Sequence, residues 1–392
     1  MKKTLFILTI IFLVFFTLGS CSDAIFNEVW KETKKLDPRI QGSSTKFVEW
    51  DGYMYVASGK NLYRYINGNW DKIEFGSWIR DIAATTDHLY ICYDSSGSGA
   101  VTRISSITPA GGKFNIVREE LSLAANAQSI FAANNVLFIS SLSGTTYSFH
   151  CENYPEAVKQ LDTGINNPAL LRGVAYQNPD YLLCTTSGIF WTNSGSLGLN
   201  SASLVPDSAI NFTGIINLQN TAQTVVAITR NGVLHSVTKD SVSGALAQFY
   251  SNDWTKNFYT KDHKSNGALA LWKNDAADAN ASLLLAGLDL LSYSTGTGYT
   301  YGYAELSIDD TGVTGSRFFI PGDKDNENQF TSGNRGGIED NYKSSLGQNP
   351  VNHIIQTPLA IDAEMTLFAS THQNGVFSYR IRNGKWEWNA EE

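Results

Sequence analysis

The chain has 392 residues and a formal net charge of −8, with 42% hydrophobic and only 17% charged residues. An acidic chain of this kind lacks the basic face that a nucleic-acid surface requires, and its length accommodates one large or two ordinary domains. Its 33 glycines, with many Ser, Thr, Asn and aromatic residues, fit short strands and tight turns, and helical periodicity is nearly absent after residue 43.

At the start of the chain, Lys2 and Lys3 precede an apolar run from Leu5 to Leu18 that only Thr9 and Thr17 interrupt. This is the layout of a secretory signal, too short for a comfortable spanning helix. It ends in Leu18-Gly19-Ser20-Cys21, which resembles the lipobox of bacterial lipoproteins. The alternative is an ordinary secretory signal with an incidental Cys. The resemblance implies that residues 1–20 are a removable signal peptide and that Cys21 receives diacylglycerol. Loss of Lys2 and Lys3 then takes the formal charge from −8 to −10. Two or three acyl chains, at about 0.8 kcal/mol per buried CH₂, hold such a protein on a membrane. Ser22, rather than Asp, follows the Cys, and by the sorting rule of that family this leans toward the outer membrane of a bacterial cell envelope. Residues 21–43 read as a tether, with a short helix around Phe26–Leu36 that stops before Asp37-Pro38.

From residue 44 onward a short unit recurs. Residues 57–70 read ASGKNLYRYINGNW and residues 369–386 read ASTHQNGVFSYRIRNGKW. Tyr63-Arg64 matches Tyr379-Arg380, Asn67-Gly68 matches Asn383-Gly384, and Trp70 matches Trp386. Asn-Gly between β-rich runs predicts a type I′ hairpin turn, which needs positive φ at both central residues. Apolar runs recur from one copy to the other: YMYVAS (53–58), LYICYD (89–94), VLFISS (136–141), YLLCTT (181–186), TVVAIT (224–229), SLLLAG (282–287) and TLFAST (366–371). Near-continuous apolar strands are buried on both faces. Each run has a strand before it, and six have a recognisable strand after it, from NLYRYI in the first unit to GVFSYR in the last. The spacing widens only before the last unit, where residues 321–350 form an insertion.

Seven four-stranded antiparallel units at this spacing resemble the blades of a β-propeller, an all-β fold covering residues 44–392. The "T/S-x-x-G" turns and aromatic strands are similar in general to two-component-regulator and sialidase-type repeats, although no unit carries the full S-x-D-x-G-x-T-W Asp-box. A β-solenoid has shorter rungs, and stacked sandwiches do not place one motif at both ends. Ring closure explains the matching ends, because the last blade packs on the first. The polar tail after Trp388 is expected at the outer edge. Cys92 and Cys184 occupy the buried slot of two separate units, which sets them too far apart for a disulfide, and Cys151 leaves the count odd.

In propellers the function usually sits around the channel mouth, an inference from fold alone. Aligned first strands place Lys46, Arg80, Gln128, Arg172, Thr213, Asn266 and His353 at one level, all polar or basic. Such a ring offers donors to an anionic or polyhydroxyl ligand, such as a carboxylate-bearing glycan or a protein partner; it is equally the polar lining any water-filled channel needs. Asp81, adjacent to Arg80, alternates to the opposite strand face, which leaves the ring without an acid. Turns at Lys60, Asp94–Gly99, Arg230-Asn231 and His372–Asn374 open on the same side. Asp323, Asp325 and Glu327 alternate as in a calcium loop, but Asn328 and Asn334 stand where that loop has Gly and Glu, so a solvated acidic loop is expected. No metal, cofactor or catalytic motif is expected: Glu49, Asp81, Asp94 and Asp289 are scattered carboxylates, and the chain has neither G-x-S-x-G nor H-E-x-x-H. The expected function is a non-catalytic binding or scaffold module; the alternative is a glycan-active hydrolase or lyase at the channel mouth.

Overall fold

A computed structural model describes residues 40 to 391, apart from 124–125, 154–157, 162–169, 194–199, 202–210, 219–223, 231–232, 241, 249–263, 274–281, 290–302, 310–311, 320–345, 347–349, 358–364, 373 and 383–384. Cys21, the tether with its expected helix, and Asp323, Asp325 and Glu327 lie outside the described residues. So does the second Asn-Gly pair, Asn383-Gly384.

The chain folds as a β-propeller. Among the described residues, seven four-stranded antiparallel sheets follow in chain order, each built from consecutive strands, over residues 48–74, 79–120, 126–160, 171–201, 212–248, 264–319 and 351–390. The first strands neighbour one another around the axis: Val48–Trp50, Ile79–Ala84, Asn126–Ala133, Leu171–Gln177, Phe212–Asn217, Lys264–Lys273 and Val351–Gln356. All seven apolar runs are the second strands. They carry the longest stretches of buried residues, such as Met54–Ser58 and Val136–Ser141, because a neighbouring sheet covers each face. The sixth sheet takes its outer strands from Tyr303–Asp309 and Gly312–Phe319, which lack the turn-and-aromatic signature of the other units. At the first Asn-Gly pair, Asn67 has φ +49° and Gly68 has φ +82°, as a type I′ turn requires.

Buried clusters are described at six junctions between sheets. Leu89, Ile91 and Ile104 pack toward sheet one, for example, while Tyr90, Cys92 and Val101 pack toward sheet three. Cys92 and Cys184 are both fully buried and free, and burial pushes the Cys92 thiol up to about 12. Cys151 is half-buried and likewise forms no disulfide. Between sheets five and six the backbones themselves meet. A Cβ on Gly214 would lie 2.1 Å from the Gly267 carbonyl oxygen, and one on Gly267 would lie 1.8 Å from that of Thr213. No side chain fits at either position.

The ring closes without strand exchange, since sheet one and sheet seven are each complete within themselves. Trp70 is fully buried and meets Phe368 edge-on at 5.7 Å between ring centroids, with Tyr65 and Phe47 against the same pair. The chain ahead of sheet one lies along sheet seven: Gly42 bridges Asn374 in parallel, and the Ser44 amide donates to the Thr371 carbonyl at 3.0 Å. The tail follows the outermost strand of sheet seven, as expected, but it is buried there: Glu391 is 2% exposed and accepts hydrogen bonds from the Trp70 indole, at 3.0 Å, and from the Ser378 hydroxyl. The indole N–H, buried by closure, needs an acceptor, and the carboxylate supplies it.

Trp70→Ala is therefore expected to cost about 3–5 kcal/mol, as a large aromatic-to-Ala change in a core does. Glu391→Ala is expected to cost about 1.5–3 kcal/mol, the range for a hydrogen bond to a charged group. Urea unfolding of the two variants checks both. A Glu391→Ala midpoint equal to the parent's would remove the tail from the seam.

Candidate functional site

The geometry of the channel mouth starts from a defect repeated in the first strands. In sheet two, Ile79 pairs with Tyr93 and Asp81 with Cys92, so Arg80 falls out of the ladder. The same skip omits Gln128, Arg172, Thr213 and Asn352 in sheets three, four, five and seven. In sheet six it spans residues 266–268. A β-bulge opposes two residues to one, bends its strand and re-aims the side chain. Here it turns a polar residue inward on each of these sheets.

All seven expected residues, Lys46, Arg80, Gln128, Arg172, Thr213, Asn266 and His353, line one cavity of about 480 Å³ at the mouth. A second section of about 560 Å³ continues along the axis and shares Lys46, Arg172 and His353 with the first. The ring is thus brought together. Its electrostatics differ from expectation. Because Arg80 is bulged, alternation resets, and Asp81 also faces the channel. Its Oδ1 accepts from Lys46 Nζ at 2.5 Å and its Oδ2 accepts from the Ile130 amide at 3.0 Å. Lys46 also donates to the Ile130 carbonyl at 2.6 Å and sits 4.1 Å from the Phe131 ring centroid. Burial holds the Lys46 ammonium below its ordinary pKa, with Asp81 opposing that shift. Arg80 pairs with Asp94 at 2.5 Å and donates to the Ala127 carbonyl at 3.1 Å. The expectation of a ring without acids is therefore corrected: two of its three formal cations are already matched. Arg172 is exposed and makes no ion pair among the described residues.

In sheet seven the bulged residue is Asn352, one position before the expected His353; Asn352 donates to the Ser44 carbonyl at 2.8 Å. His353 lies deeper, and its Nδ1 accepts the Phe47 amide at 3.2 Å. Burial, with a smaller contribution from Lys46, lowers its pKa to about 3. Thr213 donates to the Ile228 carbonyl at 3.3 Å, and Asn266 donates to the Val351 carbonyl. The mouth also contains Trp78, which sequence reasoning passed over: it is 58% exposed, with its indole against Gly59 at 3.4 Å from a Cβ built there. A Trp at the residue before a first strand, where no other unit has one, was the available signal.

Of the scattered carboxylates, Glu49 lines the deeper section alone; burial raises its pKa, and its Oε1 has no hydrogen-bond partner among the described residues. Arg230 and His372 lie at turns on the mouth side, where the Arg230 carbonyl accepts from Ser265 and the His372 amide donates to the Pro350 carbonyl.

The depressed His353 pKa makes stability depend on acid. Between about pH 6.5, the unfolded value, and about pH 3, the unfolded chain binds a proton that the native site refuses, so stability falls as pH falls through that window. Asn at 353 retains an acceptor for Phe47 without titrating. His353→Asn is expected to lose less stability than the parent between pH 7 and pH 4 in denaturant unfolding. Equal losses in the two proteins would contradict it.

No protein family model and no curated protein matches the chain. Solved structures match in fold. The extracellular domain of BT4673 from B. thetaiotaomicron is 14% identical with a TM-score of 0.52, over 88% of this chain. This chain spans only 38% of that one. An ancestral GH74 enzyme is 14% identical with a TM-score of 0.56, over 91% of this chain and 47% of its own. YCF48 from Cyanidioschyzon merolae is 11% identical with a TM-score of 0.51, over 87% of this chain and 96% of its own. YCF48 has also been solved bound to D1 peptide, a match at 10% identity and a TM-score of 0.51 over 88% and 96% of the two chains. These likenesses establish the propeller fold.

Proposed function

We propose that this protein is a non-catalytic binding propeller, lipid-anchored through Cys21 in a bacterial cell envelope, that holds an envelope glycan or protein partner at its channel mouth. The observation that carries the reading is the set of bulges. Each places a polar side chain at the mouth, while the acids that chemistry would use, Asp81 and Asp94, are held by Lys46 and Arg80. A site with its carboxylates committed to ion pairs is built to present donors, not to move protons. Propellers of this fold serve as a binder in YCF48 with its D1 peptide and as part of a BT4673 extracellular domain, which supports a binding module outside the cytoplasm.

A second reading has one observation behind it. Glu49, with a raised pKa and an unpartnered oxygen inside the channel, has the attributes of a general acid, and a GH74 enzyme shares the fold. In that case the chain cleaves a glycan, and Glu49→Gln abolishes product formation.

Two measurements test the proposal. In the producing bacterium, Cys21→Ser is expected to abolish fatty-acid labelling and to leave an unprocessed precursor; continued labelling ends the lipoprotein reading. For the mouth, the protein is screened on an array of envelope glycans beside Arg172→Ala, which is expected to weaken the bound class by about 1.5–3 kcal/mol while its melting temperature stays near the parent's. Glycan release from the array would favour the hydrolase. Unchanged binding by Arg172→Ala would move the ligand away from the mouth.

A further inference from the structure

We infer that the ligand class of the mouth is a uronic-acid-containing oligosaccharide, with Trp78 stacking on a sugar ring and Arg172 taking its carboxylate. This rests on the reading of the mouth as a binding site and adds the chemistry of what it binds.

Trp78 carries the first part. Trp78 leaves 58% of its surface in water at the rim of a concave site, where an indole face can meet a bound ring. Its placement is fixed from several sides. The Asp94 amide donates to the Trp78 carbonyl at 2.9 Å, the next residue's amide donates to the Gly59 carbonyl at 2.8 Å, and the indole rests on Gly59. Gly59 has φ +61°, a conformation that side chains other than glycine rarely adopt, so the support under the ring stays bare. The indole is thus held in place with more than half its surface open. Such a platform suits the apolar C–H face of a pyranose and costs little ordering entropy on binding.

Arg172 carries the second part. It lines the same cavity, it is exposed, and the described residues give it no acid. Lys46 and Arg80, by contrast, are paired at 2.5 Å each. One unmatched guanidinium takes one carboxylate in a two-pronged contact. One carboxylate set on a hydroxylated ring matches one guanidinium standing among uncharged polar groups. Gln128 and Ser129 stand between the sheets that carry Trp78 and Arg172, and supply uncharged groups suited to hydroxyls. An acidic peptide, the competing class, has no pyranose face for Trp78 and would be expected to meet several free cations, of which the described mouth residues offer one, Arg172.

Calorimetric titration tests this with tetramers of galacturonic, glucuronic and mannuronic acid, their methyl-esterified neutral forms, and a tetra-aspartate peptide. At least one uronate tetramer is expected to bind, with its ester weaker by about tenfold or more, the lower end for a charge-assisted contact. Trp78→Ala is expected to weaken the acid and ester forms alike by about tenfold, within the range of a stacking contact, while Trp78→Tyr restores most of the loss. Arg172→Gln is expected to weaken the acid and leave the ester unchanged. An ester that binds as tightly as its acid, a Trp78→Ala variant that binds like the parent, or a peptide that binds better than every uronate overturns the inference. If no uronate binds while the array detects another ligand sensitive to Arg172→Ala, the uronate assignment falls and the mouth reading stands. If neither experiment finds a ligand, both fall.

Discussion

A ring of sheets exists only if its two ends meet, and in this protein everything at the axis depends on that seam. Many small packed contacts between neighbouring sheets set the angle around the ring, but none of them decides whether sheet seven reaches sheet one. The aromatic cluster of Trp70, Phe368, Tyr65 and Phe47 does so, with the Glu391 carboxylate beneath the indole. Phe47 belongs to both worlds. Its ring packs in the seam and its amide donates to His353 in the channel. Closure and the shape of the mouth are therefore one problem, because the same residues answer both.

The bulges add the second constraint. An uninterrupted inner strand would alternate its side chains strictly and keep its ladder to the second strand unbroken. One extra residue breaks that pattern at the mouth and turns two consecutive side chains inward, as Arg80 and Asp81 show. The gain is a densely functional rim on an otherwise apolar sheet. The cost is an interrupted ladder, partly offset by side chains that occupy the loose backbone groups: Asp81 on the Ile130 amide, Asn352 on the Ser44 carbonyl and Arg80 on the Ala127 carbonyl. The Asp81 and Arg80 bonds cross to sheet three and the Asn352 bond reaches the segment entering sheet one, so the mouth is also a belt around the ring.

Much of the fold was legible in the sequence because burial writes itself into composition. A second strand covered on both faces has to be apolar along its length, so YMYVAS or VLFISS announces itself without structural help. The third and fourth strands of sheet six were not visible, since YAELSID and GVTGSRFF carry neither the turn nor the aromatic pattern of their counterparts. At the site, depth along the strand was readable and orientation was not. A bulge is invisible in a single sequence: Arg80-Asp81 reads as alternation, and only the pairing register reveals that both face the channel. The same slip puts the bulge of sheet seven at Asn352, one residue before His353. Glu391 was lost for a different reason, because a polar residue near a chain end gives no sign that a buried indole awaits it.

The route by which the chain enters the ring has a mechanical consequence. Ile40 is buried in the seam, and Gly42 to Ser44 run beside sheet seven before sheet one begins. Any pull transmitted along the residues ahead of Ile40 therefore arrives at the joint between first and last sheets. Because Gly42 and Asn374 bridge in parallel, with Ser44 bonded to Thr371 and Gly375 to Gly42, those bonds share the load as a set instead of opening one after another. Under the anchoring proposed through Cys21, load would reach the point of ring closure before any other part of the fold.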